Sequence, residues 1–100
     1  MNMNRICYWL ELASDMLKLA AKQQTLRNAG LYRLYLEGTA TYIQTAKDEF
    51  TALFNWTLRA LPESSHTDLD KLGREMLCKF NIMTERIQTL RLSWAEHHPR

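Results

Sequence analysis

The chain has 100 residues, 46% of them hydrophobic and 24% charged, with 13 Lys and Arg against 11 Asp and Glu. That is room for one domain, with enough apolar area to offset chain entropy, which excludes a disordered chain. A net charge of +2 is too balanced for the dense basic face of a dedicated nucleic-acid binder.

Sixteen residues are Leu, nine are Ala and five are Met, Val is absent, and there are only three Gly and two Pro. Strong helix formers with so little turn punctuation point to an all-α fold and away from an all-β domain. Cys7 and Cys78 are too few for a disulfide scaffold and suit a reducing compartment. Met1 to Trp9 lacks the apolar run and cleavage site of a signal peptide, and no stretch approaches the ~20 apolar residues of a membrane span. A cytoplasmic location is the expectation.

Two breaks divide the chain. Asn28-Ala29-Gly30 reads as a helix stop, with Gly30 in the left-handed position. The second break is Leu61 to Thr67, where Pro62 disfavours helix at Leu61 and Thr67 with Asp70 forms a shortened capping box. The expected helices span about 4–28, 31–61 and 67–97, in one domain over 1–100. Short linkers make neighbours antiparallel, giving a three-helix up-down-up bundle that homodimerisation could complete. Gly30 inside one very long helix is the competing arrangement, at a cost of about 1 kcal/mol.

In the first helix, Ile6, Leu10, Ala13, Leu17 and Ala20 form one seam, with Trp9, Leu12, Met16, Leu19 and Leu26 beside it. Glu11, Ser14, Asp15, Lys18 and Lys22 form its polar stripe. Cys7 reads as a small core residue.

The second helix is also broadly apolar. One strip holds Leu31, Leu34, Tyr35, Gly38, Tyr42, Ala46, Leu53, Trp56 and Ala60. An adjoining one holds Tyr32, Leu36, Ile43, Phe50, Phe54 and Leu61. A central helix packed on both neighbours has this pattern. Glu49 falls on the apolar strip, so it requires Arg5, Tyr8 or a partner protein, unless the helix turns it to water.

The third helix has the clearest seam: Gly73, Met76, Phe80, Met83, Ile87, Leu90 and Trp94, in steps of three and four. Leu92, Ile82 and Cys78 fall on its back.

No constellation for catalysis, cofactor or metal emerges. Adjacent His97 and His98 point about 100° apart on a helix and cannot share an ion. No HExxH or paired CxxC occurs. The expected function is therefore non-catalytic binding by a small helical adaptor, inhibitor or assembly subunit. Its partner would be another protein or a second copy, met through surplus apolar residues: Trp9, Tyr32, Leu36, Ile43, Phe50 and Phe54. Arg33 and Glu37 would set specificity. The alternative is an accessory subunit of a nucleoprotein complex, contacting phosphates through Lys18, Lys22, Arg27 and Arg33.

Overall fold

In a computed structural model, residues 3–97 are described, apart from the side chains of Ser65 and His97. They form three α-helices and no strand: α1 (Met3–Thr25), α2 (Ala29–Ala60) and α3 (His66–His97), with a 3-10 turn over Glu63–Ser65. Each boundary lies within three residues of the sequence expectation.

The first turn is built differently from that expectation. The left-handed residue is Arg27, with φ of 56°, whereas no glycine has positive φ. The Asn28 N–H donates to the Gln23 carbonyl (3.0 Å) and the Arg27 N–H to the Gln24 carbonyl (3.1 Å). That pair of bonds is a Schellman closure. Asn28 then caps α2, its Oδ1 accepting from the Leu31 N–H at 3.1 Å. Gly30 is thus the second residue of α2 and stops nothing, because the Asn28 cap completes the reversal before the chain reaches it.

The second turn also starts earlier than expected. Leu61 and Pro62 are extended, the 3-10 turn follows, and α3 begins at His66. Thr67 therefore lies inside the first turn of α3 and does not cap it. His66 Nε2 lies 3.2 Å from the Leu61 carbonyl oxygen across the turn.

The helices run up-down-up. Trp9 stacks on Tyr42 at 5.6 Å, which pairs α1 antiparallel with α2. Tyr32 stacks on Trp94 at 4.1 Å, and Phe50 meets Phe80 edge-on at 6.0 Å, which pairs α2 antiparallel with α3. Gln24 Nε2 donates to Ser93 Oγ at 2.7 Å, joining α1 to α3. The result is a rod of 56 × 20 × 15 Å with a radius of gyration of 16.5 Å. A compact chain of this length would have about 13 Å.

One core draws on all three helices: Ile6, Ala13, Leu17 and Ala20; Tyr32, Leu36, Ile43, Ala46 and Phe50; Met76, Phe80, Met83 and Ile87. The α3 seam is therefore as its spacing predicts. Leu92, Ile82 and Cys78 are exposed on its back, also as predicted. Cys7 departs from expectation. It is an exposed free thiol, because it lies about 100° round α1 from buried Ile6. No helix among the described residues is long and apolar enough to cross a membrane.

Candidate functional site

The structure corrects the expected partner-binding set. Tyr32, Leu36, Ile43 and Phe50 are in the core. Trp9 and Phe54 are half-buried and engaged within the chain, Trp9 with Tyr42 and Glu49, and Phe54 with Phe50. None of the six is a surface anchor while the bundle is closed. The physical reason is the central position of α2. One of its apolar strips packs mainly on α1 and the other on α3, so most of its double width is used inside the fold, with Leu31, Leu34, Trp56 and Leu61 left exposed. Arg33 and Glu37 are exposed.

The large apolar residues left outside are different ones, and they include Tyr8, Trp56, Leu61, Leu77, Ile82 and Leu92 as well as four leucines near the first turn. Leu19, Leu26, Leu31 and Leu34 are 40%, 62%, 37% and 59% exposed. Their placement follows from one close contact on the α1–α2 seam, where a Cβ added at Gly38 would lie 2.6 Å from Met16 Cε. Counting about 100° per residue from that seam, the buried residues of both helices lie on one side. Leu12, Leu19 and Leu26 on α1, and Leu34 on α2, lie about 40–80° round on the other side. Leu19 is three residues from Met16 towards the turn and Leu34 is four residues from Gly38 in the same direction, so the two are abreast. Leu26 continues the patch to the end of the hairpin and half-buried Leu12 extends it the other way, whereas Leu31 lies about 20° to the core side of the seam and is exposed at the helix end. The outer face of the α1–α2 hairpin, opposite α3, is therefore a leucine surface.

Charged residues edge this face. Asp15 and Lys22 lie beyond Leu19 on the far flank of α1; on the far flank of α2 Glu37 lies about 60° beyond Leu34 and Arg33 about 100° beyond it, towards the α3 side. All four are exposed, and among the described residues none of them forms an ion pair. Glu11, Asp15, Lys18 and Lys22 of the polar stripe of α1 are exposed and form no salt bridge with one another.

Glu49 finds its partners within the chain. Its Oε1 lies 3.0 Å from Arg5 Nε, and its Oε2 accepts from Trp9 Nε1 at 3.1 Å. The node ties the start of α1 to the middle of α2 and fixes the Trp9 ring against Tyr42.

Lys18, Lys22, Arg27 and Arg33 are all exposed. They do not merge into one basic surface, since Glu11 and Asp15 share the flank of the first two and Glu37 lies beside Arg33. A separate groove of about 580 Å³ opens between α2 and α3, over Phe50, Phe54, Leu77 and Phe80. Its rim mixes Asp70 with Lys47 and Arg74, so it selects no single charge class of ligand. Among the described residues no three His, Cys, Asp or Glu are grouped as a metal site would need. His98 lies outside the described residues. No known protein family, curated protein or solved structure matches the chain.

The leucine face was legible in part. Leu12, Leu19 and Leu26 belong to the second strip of α1 seen in the sequence. Leu34 had been grouped with the inward strip of α2, because a wheel drawn on one helix cannot show which flank the neighbours cover.

Proposed function

We propose that this protein is a non-catalytic protein-interaction module that binds through the outer face of its α1–α2 hairpin. The observation that carries this reading is the set of exposed leucines, Leu19, Leu26 and Leu34, which the helical count brings to one outer face of a bundle whose core is formed without them. Scattered apolar residues on a surface need no explanation, but a contiguous patch rimmed by polar residues marks a contact surface. Leucines on two helices held in register by the Met16–Gly38 seam form a rigid platform, so binding requires little ordering of the chain. Charged residues at the edge then contribute orientation and selectivity more than affinity.

The test is a photo-crosslinking side chain placed at Leu34 in the protein expressed in its own host, with the same group at exposed Asn81 on α3 as control. A discrete crosslinked species from position 34, absent from position 81, supports the reading, whether it contains a second copy or another protein. Equal or absent crosslinking at the two positions refutes it.

A further inference from the structure

We infer that the occupant of the leucine face is a second copy of this chain, related by a two-fold axis that crosses α1 and α2 at right angles at the level of Leu19. The inference rests on the reading of that face as a contact surface and adds the partner's identity and orientation.

The argument is the placement of the four edge charges. Asp15 and Lys22 are equally distant from a point between residues 18 and 19 of α1. Arg33 and Glu37 are equally distant from residue 35 of α2. The Met16–Gly38 contact and the Arg5–Glu49 pair set the relative level of the two antiparallel helices, and by them these two points are abreast to within about half a helical turn. A two-fold axis through them lays α1 on α1 and α2 on α2 of the other copy, antiparallel. Asp15 then comes to the level of Lys22 of the second copy, and Arg33 to that of Glu37 of the second copy. Each pair occurs twice, and both partners lie on the same flank. Leu12 and Leu26 are likewise equally distant from Leu19, so leucine meets leucine along α1.

The charges also reject the competing axis. A two-fold parallel to the helices would lay α1 on α2 of the other copy. It would bring Asp15 beside Glu37 and Lys22 beside Arg33, like against like. An isologous surface must be self-complementary, and of these two axes the perpendicular one makes it so.

The size is adequate. Over the ~35 Å of α1 and the rod's 20 Å breadth, the hairpin presents a projected face of roughly 700 Å², near the ~800 Å² per partner of a stable interface. The edge pairs stay solvated, so the leucines supply affinity and the charges supply register.

The experiment is light scattering after size exclusion, with analytical ultracentrifugation, over a concentration series of the purified chain. The wild type is expected to dimerise. Leu19→Asp sets two carboxylates against each other on the axis and is expected to give a folded monomer, with helicity by circular dichroism as the check. Asp15→Lys and Lys22→Asp each convert two attractive pairs into repulsive ones, weakening the dimer roughly tenfold. Mixing these two variants, or combining them in one chain, restores opposite charges across the axis and is expected to recover wild-type affinity. A wild-type monomer at every concentration up to roughly 1 mM overturns the inference. So does a dimer indifferent to Leu19→Asp, or charge variants that fail to rescue each other. A monomer that still crosslinks to a different protein from position 34 in its host overturns the self-association alone and leaves the interaction role standing.

Discussion

Removing the Glu49 carboxylate tests a polar node that ties α1 to α2. Two contributions meet there and can be separated. The pair with Arg5 is solvent-screened, because the Arg5 side chain is 61% exposed, and is worth about 0.5 kcal/mol. The bond from Trp9 Nε1 goes to a charged acceptor at a half-buried position, and is worth about 1.5 kcal/mol. Ala at position 49 loses both and regains about 0.5 kcal/mol of helix propensity, for a net destabilisation of about 1.5 kcal/mol. Gln keeps an acceptor for the indole but loses the charge, for about 1 kcal/mol. In a domain of this length these correspond to drops of about 6–12 °C and 4–8 °C in Tm. Thermal and urea unfolding, followed by far-UV circular dichroism and tryptophan fluorescence, would measure both. In 1 M salt the Arg5 part is screened, so the cost of Glu49→Gln should fall by about half. Equal destabilisation by Gln and Ala would mean that the indole bond contributes nothing. If both variants unfold within about 0.3 kcal/mol of the wild type, the node does not hold the hairpin together.

Two further predictions concern the turn and the α2–α3 seam. Arg27 holds a left-handed backbone conformation that disfavours any residue with a Cβ, so Arg27→Gly should stabilise the fold by about 0.5–1 kcal/mol, read from the urea midpoint at unchanged m-value. Tyr32 donates to the Leu90 carbonyl at 3.3 Å, and burial raises its pKa above the ordinary 10.0, with Arg91 acting in the opposite direction. The fold therefore favours the neutral phenol. Its contribution is constant below pH 10 and is lost as pH rises through the raised value, with a slope of up to about 1.4 kcal/mol per pH unit. Tyr32→Phe should cost about 0.5–1 kcal/mol at pH 8 and remove that slope, which urea titrations at a series of alkaline pH values would show. A variant that loses stability above pH 10 as steeply as the wild type would contradict this.

Local chemistry along the chain was enough to determine three long helices, their boundaries to within three residues, and the buried seam of α3. Helix formers, a repeat of three and four, and one proline act over a few residues and do not depend on neighbours. The Asn28 cap and Arg27 reversal were misread as a stop at Gly30. Glycine is the usual left-handed residue, but the Schellman bonds and the cap together hold an arginine there. Glu49 was legible as a carboxylate in need of a partner, and Arg5 was among the candidates. The bond from Trp9 was not foreseen, since it depends on the rotation of α1 against α2.

The largest difference lies in what the apolar excess is for. Composition and periodicity showed that α1 and α2 carry more apolar surface than one stripe each. They could not apportion it. Burial is a property of pairs of helices, and the Met16–Gly38 seam decides which flank of each helix is inside. That seam buries Tyr32, Leu36, Ile43 and Phe50 and leaves Leu19, Leu26, Leu31 and Leu34 in solvent. The amount of apolar surface was thus set by the residues themselves. Its division between core and outer face was decided only when the helices packed, because rotating a helix about its axis changes no local interaction but exchanges the residues that meet water.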